Sequence, residues 1–387
     1  MPEFDIVFIQ FLVTDTMTFQ KQKLCYVLPE FKKDDATHFS HIHDFLKGIA
    51  QKFDLYLLIE KGELPDDNLG CDHARVLIFK WLPLRLLETL CMMFLLRMHG
   101  YRNVYIHYSF LAAFLASLII RPTGGKVFYW NCGEPWKYKR SAIRDFFENK
   151  TYKIITYLIT GSESIAQRYA NHYKILIAKI KVIPNWIDTK RFHVVGGKDT
   201  LKRELGLPLD KKIILFVHHL SPRKGAHHIL PIARELFKIR QDVFFVVVGS
   251  GPYDKTIRSE LAADTTLSKI VCLEGEVPNT KIPTYFFVAD VFFMPSEEEG
   301  FPHVLLEAMS LGTLFIASDI GAVKEITPKT MHQYILKQSD VPGFARALHK
   351  ILNQPPSVLA QLSTELKSLV ARYDISIVME KFTKLFV

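Results

Sequence analysis

Short, nearly continuous apolar runs alternate along this chain with stretches whose apolar residues recur at helical spacing. In the first half the runs are KLCYVL (23–28), DLYLLI (54–59), NVYIHY (103–108), KVFYWN (126–131), KIITYLITG (153–161) and KIKVIPN (179–185), with helical periodicity at 37–52 and 162–173. Strands apolar on both faces and separated by helices predict a parallel sheet covered on both sides. The pattern stops at PNWIDTKRFHVVGGKDT (184–200), which has no periodicity and reads as a connection between domains. It restarts in KKIILFVHH (211–219), DVFFVVVGSG (242–251), KIVCLEG (269–275), DVFFMPS (290–296) and GTLFIASD (312–319). The expectation is α/β: two doubly wound parallel-sheet domains, 1–186 and 187–370, with the amphipathic segment 371–387 packed back on the first. Such sheets bind ligands beyond the carboxyl ends of their strands, so function is sought in post-strand loops.

Two apolar stretches need separate treatment. FDIVFIQFLV (4–13) is flanked by Glu3, Asp5 and Asp15 with no basic region before it, so it reads as a strand rather than a secretory leader. RVLIFKWLPLRLLETLCMMFLLRMHG (75–100) is broken by Lys80, Arg85 and Glu88 before reaching the ~20 apolar residues of a membrane-spanning helix. Five scattered cysteines without CxxC or Cys/His ligand spacing point to free thiols in a reducing, cytoplasmic setting, and away from structural zinc. A net charge of +9 favours an anionic partner, whether a phosphorylated metabolite, a membrane surface or nucleic acid. Nucleic acid is set aside, because the basic residues are interspersed with acids and follow no recognition module.

The chemistry concentrates in SEEEGFPHVLLEAMSLG (296–312), which follows a run short enough for a buried strand and so falls on the cleft side. Pro302 suits the first position of a helix and Gly312 its end, which predicts a helix over 302–311. The positive end of that helix would favour a nearby anion by roughly 0.3–1 kcal/mol. Its body is apolar nearly all round except for His303 and Glu307, four apart and on one face. A carboxylate in such surroundings needs hydrogen-bond donors. Backbone amides or a lysine would serve, and so would the hydroxyls of a ligand; the residues alone leave both open.

Glu299 and Glu307 form E-x7-E, and ADVFFMPSEEEGFPHVLLEAMSLGTLFIASDIGAVKEI (289–326) resembles the donor-binding segment of retaining glycosyltransferases of the GT-B fold, family four. The likeness continues in TGSESIAQRY (160–169), KVIPNWIDTKRF (181–192), FVHHLSPRKGAHHIL (216–230), VVVGSGP (246–252) and CLEGEVPNTKIPTYFFVAD (272–290). It is strong over the second half and one of layout over the first. The resemblance implies two Rossmann-like domains facing a cleft. It implies retaining transfer of a sugar from a nucleoside diphosphate, UDP- or GDP-linked, to a hydroxyl acceptor in glycan, cell-envelope polysaccharide or glycolipid synthesis, with no cofactor and no metal. The competing reading is a non-catalytic nucleotide-sugar binder or partner subunit.

By the same resemblance, Glu307 takes the place of the glutamate that holds the ribose hydroxyls, and Glu299 that of the one contacting the transferring sugar. Gly300, Phe301 and Pro302 would line the sugar and diphosphate; Pro302 has no N–H, so His303 and Val304 would supply the amides. SPRKG resembles the family's diphosphate clamp and puts Lys224 against the leaving group. Where relatives carry an arginine five residues earlier, His219 stands, a weaker donor, and Arg223 either compensates or faces solvent. Val277 falls where backbone groups read the base, and Gly249 either approaches a phosphate or only forms a turn. On the acceptor side Cys132 replaces a usual histidine, leaving Cys132, Glu134 and His107 as candidates. The family's first glycine-rich loop is missing from LPEFKKDDATHFSHIH (28–43), and Glu297 and Glu298 read as a solvated acidic rim. Residues 75–99 and WKYKRSAIRDFFENKTYK (136–153) are either a peripheral contact with the inner membrane face, serving a lipid-linked acceptor, or packed helices with cationic outer faces.

Overall fold

The computed structural model describes residues 21–32, 40–65 and 68–387. The strand expected at 4–13, the start of the helix expected at 37 and Lys33 lie outside the described residues. One sheet is built from β1 (Gln22–Leu28), β2 (Phe53–Ile59), β3 (His73–Val76), β4 (Asn103–His107), β5 (Lys126–Trp130), β6 (Tyr157–Thr160) and β7 (Ile180–Val182), in the order β3-β2-β1-β4-β5-β6-β7. A second contains β8 (Lys212–Val217), β9 (Val243–Val248), β10 (Val271–Gly275), β11 (Val291–Met294), β12 (Phe315–Ser318) and β13 (Ile335–Leu336), in the order β10-β9-β8-β11-β12-β13. Every pairing between these strands is parallel. Two doubly wound α/β domains are therefore present.

Three elements depart from the expectations. β3 reads HARV and is half-exposed at a sheet edge, and β13 is only Ile335–Leu336, so neither carries an apolar run. The run KIITYLITG divides: Lys153 and Ile154 finish the helix Ala142–Ile154, and the strand begins only at Tyr157. That helix starts at Ser141, whose hydroxyl accepts from the Arg144 amide, and its register carries through the first residues of the run.

The chain returns to its first core at the end. Ile187 donates to the Tyr373 carbonyl at 2.9 Å and Ile375 donates back to Ile187 at 2.9 Å. The Asp374 side chain then caps the helix Ile375–Thr383. From that helix and the residues after it, Val378, Met379, Phe382 and Phe386 join the core of the first sheet, with Phe382 edge-on to both Phe45 and Tyr105.

In each sheet the order reverses about the first strand: β1 lies between β2 and β4, and β8 between β9 and β11. Loops leaving the carboxyl ends at such a switch point diverge and leave a crevice. The residues that follow β4, β8 and β11 line one cleft shared by both domains.

Candidate active site

The cleft encloses about 910 Å³. Its floor in the second domain is made by the loops after β8, β9, β10 and β11, which bring His218, Lys224, Gly249, Val277 and Glu299 together. Gly249 is in the turn after β9 at φ +131°, backed against the His218 carbonyl, where a side chain has no room.

At the centre lies a buried charged cluster. Glu299 and Lys224 are each 6% exposed, and the Lys224 ammonium is 2.7 Å from both carboxylate oxygens. Ser296 Oγ and His218 Nε2 approach Glu299 Oε1 at 3.2 and 3.0 Å. The His219 amide donates to His218 Nδ1 at 3.0 Å, so Nδ1 is the acceptor nitrogen and Nε2 carries the proton that goes to Glu299. His218 is neutral: burial, with Lys224 adding to it, pulls its pKa down to about 4. Burial alone would raise Glu299, but Lys224 and His218 outweigh it and hold the carboxyl well below the usual carboxylate range. Burial lowers the Lys224 pKa and Glu299 pulls it back up.

The histidine that meets Glu299 is thus His218, whereas the resemblance singled out His219. β8 ends at Val217, and it is the first residue beyond it that turns inward, while His219 lies exposed at the cleft wall. Arg223, exposed, also lines the cleft beside Lys224.

The helix His303–Leu311 begins one residue later than expected, with Pro302 as its cap at ψ 110°. Its first turn leaves amides without intrahelical acceptors. Phe301, Pro302, His303, Val304 and Glu307 all line the cleft. Burial pulls the His303 pKa down to about 4. Glu307 is the exception to pairing: among the described residues none donates a hydrogen bond to its carboxylate. Burial pushes its pKa up to about 7, and Arg191, across the cleft wall, pulls the other way.

At Gly300 the domains are in close contact, since a Cβ there would collide with the Cys132 carbonyl oxygen. Cys132 is buried at this contact, and burial raises its thiol pKa far above the ordinary value. His107 ends β4, stacks on Trp130 at 4.1 Å and has its Nδ1 3.1 Å from the Tyr26 hydroxyl. Burial pulls its pKa down to about 3, so a neutral imidazole lines the first-domain wall. Glu134 does not reach the cleft. It is buried between Lys137 at 2.6 Å and Arg168 at 2.8 Å, and Arg168 also donates to the Gly321 carbonyl of the second domain at 3.0 Å. Its role is an interdomain strut, formed because a buried carboxylate takes the nearest cations.

Glu297 and Glu298 are not a free rim. Glu298 accepts from the Tyr138 hydroxyl across the cleft, and Glu297 accepts from His228 Nε2 at 2.6 Å and Ser339 Oγ at 2.8 Å. Of the early loop, Lys32 pairs with Glu30 at 3.2 Å and His43 stacks on Phe31.

Residues 197–367 match the family "Glycosyl transferases group 1" and residues 40–191 match "Glycosyltransferase Family 4". The group 1 match thus falls on the second domain and the family 4 match on the first. It is 30% identical over 185 residues to the 2-deoxystreptamine glucosyltransferase of Streptomyces kanamyceticus, covering 47% of this chain and 48% of that one. It is 30% identical over 176 residues to an Escherichia coli UDP-Gal:alpha-D-GlcNAc-diphosphoundecaprenol alpha-1,3-galactosyltransferase, 45% of each chain. These matches span less than half of either relative. The whole GT-B architecture superimposes on Anabaena Alr3699/HepE in complex with UDP, with a TM-score of 0.78, 14% identity, and coverage of 94% of this chain and 99% of that one.

Proposed function

We propose that this protein is a retaining group 1 glycosyltransferase that moves a sugar from a nucleoside diphosphate, UDP- or GDP-linked, to a hydroxyl acceptor without a catalytic metal. The observation that carries the reading is the Glu307 carboxylate, which lines the cleft without a donor among the described residues, one turn along a helix whose amino end opens on the same space. Vicinal ribose hydroxyls would satisfy both its oxygens, and the helix terminus, Lys224 and Arg223 would face the diphosphate.

Glu299 would act in two ways. Its Oε1 is filled by His218, Lys224 and Ser296, which orients the lysine; among the described residues its Oε2 meets only Lys224 and has a lone pair left for a sugar hydroxyl. The leaving diphosphate then meets a pre-positioned cation, so no charge has to be moved into place during the reaction. The acceptor would enter from the first domain past His107, Tyr108 and Arg144, which line that side.

A lipid-linked acceptor is proposed on two grounds. The Escherichia coli relative is named for a diphosphoundecaprenol-linked substrate. In addition, the helices Leu82–Met98, Phe110–Ile120 and Ala142–Ile154 lie side by side and leave Trp81, Met98 and Ile143 at 66, 71 and 72% exposure. Arg85, Lys139, Arg144 and Lys150 stand among them, and Arg144 belongs to both this face and the cleft. None of the described helices is long and apolar enough to cross a membrane, so the contact would be peripheral, at the inner face.

The test is a panel of UDP-, GDP-, ADP- and dTDP-sugars incubated with pure, EDTA-treated protein, following nucleotide release and free-nucleotide binding by calorimetry. Release from one donor, with the sugar keeping its anomeric configuration, is expected. Binding without turnover under any acceptor tried would favour the non-catalytic reading, and no binding by any nucleotide would overturn both.

A further inference from the structure

The turn that carries Lys224 continues into a feature the transfer reaction does not use. After Gly225 the chain makes a short turn, Ala226–His228, and one ring nitrogen from each of His227 and His228 and a carboxylate oxygen of Glu297 all lie within 4.8 Å of one another. Among the described residues this is the only such grouping of three or more histidine, cysteine, aspartate or glutamate side chains. None of the three lines the nucleotide cleft.

Three further observations point to a missing partner. His227 Nδ1 is buried and has no hydrogen-bond partner among the described residues, a costly state for an imidazole unless something else fills it. Glu297 is held in place, its amide donating to the Arg223 carbonyl at 3.0 Å and its Oε1 accepting from Ser339 at 2.8 Å, yet its Oε2 accepts from no described residue. The two imidazole rings are 3.8 Å apart between centroids, closer than two independently solvated histidines need to be.

We propose that His227, His228 and Glu297 form a binding site for a divalent transition-metal ion of the Zn²⁺ class, distinct from the sugar-nucleotide cleft. Two neutral imidazoles and one carboxylate are the donor set such ions take, with a fourth position open to water. Mg²⁺ and Ca²⁺ prefer oxygen donors and fit poorly. The metal would take the place of the 2.6 Å hydrogen bond between His228 Nε2 and Glu297 Oε1, the ring keeping its one proton on Nδ1. Its effect would be mechanical: it ties the turn bearing Lys224 to the loop bearing Glu299, three and two residues from the nearest ligands in sequence, and so fixes the distance between those two side chains. The site does not depend on the reaction assigned to the cleft.

The experiment uses the full chain, stripped with EDTA, titrated with Zn²⁺ by calorimetry and with Co²⁺ by visible absorption. One ion per chain and the intense visible bands of a four-coordinate cobalt site are expected. His227→Ala removes a ligand that has no partner at Nδ1 among the described residues, so the fold should persist, as checked by circular dichroism and by unchanged nucleotide binding. It should weaken Zn²⁺ binding at least ~tenfold, and Glu297→Gln should do the same. No Zn²⁺ binding at about 100 μM, far above the dissociation constants of built zinc sites, would overturn the proposal. Binding that survives in both variants would also overturn it, by placing the ion elsewhere.

Discussion

At the scale of single residues, the cleft separates a carboxylate that the protein satisfies from one that it does not. Glu307 is raised on folding from its ordinary value of 4.5 to about 7, mainly by burial. The stability linked to its protonated form is complete below the ordinary value and is lost as pH rises toward 7. At pH 8 the free protein therefore carries an ionised carboxylate without a donor among the described residues. Glu307→Gln should stabilise the nucleotide-free protein by about 1–2 kcal/mol at pH 8 and hardly at all at pH 5. The same change should cost tenfold or more in nucleotide affinity, since each charge-assisted bond is worth about 1.5–3 kcal/mol. Denaturant unfolding at the two pH values beside calorimetry checks both halves; equal destabilisation at both pH values would show that Glu307 has a protein partner. Glu299 has the opposite sign. Its pKa is depressed, so the Lys224 pair stabilises above the unfolded value and the contribution fades as pH falls through the ordinary carboxylate range. Lys224→Met should cost about 3–5 kcal/mol at neutral pH by stranding the carboxylate, and less near pH 4. It should also lower turnover by about 10²–10³. The double variant Lys224→Met/Glu299→Gln should regain stability and not turnover, which a purely structural pair would not do. Residue types at these positions were legible in the sequence because chemistry restricts them. Partners were not: whether His218 or His219 turns inward depends on where β8 ends, and Glu134 was claimed by Arg168, a residue thirty-four positions away.

At the scale of elements, the buried strands could be read because both faces of a parallel sheet are apolar. β3 and β13 escaped because an edge strand needs no such run, and the end of the helix Ala142–Ile154 reads as the start of the next strand because Ile154 leads straight into its apolar run. Residues 75–100 show the same limit. One of the charges that break the stretch has a structural use: Glu88 is buried and accepts from the amides of Ile78 and Phe79 at 2.9 and 3.1 Å, holding the exposed loop that leads into the helix Leu82–Met98. Helix placement also depends on one small residue. Gly300 lets the loop before the helix His303–Leu311 lie against the Cys132 carbonyl, so Gly300→Ala must push the domains apart or shift Glu299 next to it. Turnover should fall about tenfold or more, in line with the cost of a misplacement near 1 Å. Nucleotide affinity should hold within a few-fold, because Glu307 and Val277 belong to the second domain. A variant with unchanged turnover would show that the contact yields without moving the site.

At the scale of the whole molecule, the two domains are held by contacts that no local pattern announces. The Glu325 carboxylate accepts from the amides of Glu163 and Ser164 at 2.8 and 3.0 Å, capping a first-domain helix from the second domain, and Asn185 donates to the Phe301 carbonyl at 2.9 Å. These long-range pairs were beyond sequence reasoning for the same reason the fold was within it: pattern specifies layers, and docking is specified by a few side chains. The outward face of the first domain poses the remaining question. Trp81, Leu87, Phe94, Met98, Ile143 and Phe146 are exposed among cationic neighbours, a larger apolar surface than solvation favours. A headgroup layer with negative charge would bury the apolar tips and attract the cations at once, about 1 kcal/mol for each basic residue near the surface. The protein should co-sediment with phosphatidylglycerol-containing vesicles at ~50 mM salt, weakly at ~500 mM, and hardly with neutral ones, because the attraction is screened within a few ångströms at high salt. Replacing Trp81 and Ile143 together by Ser should reduce partitioning about tenfold or more, given the apolar area each would insert. Retained turnover on a short, soluble acceptor would show that the double variant leaves the cleft intact. Equal binding to neutral vesicles would leave the cations without a part in it, and absence of binding at low salt would turn this face into an interface for another protein and detach the acceptor from the bilayer.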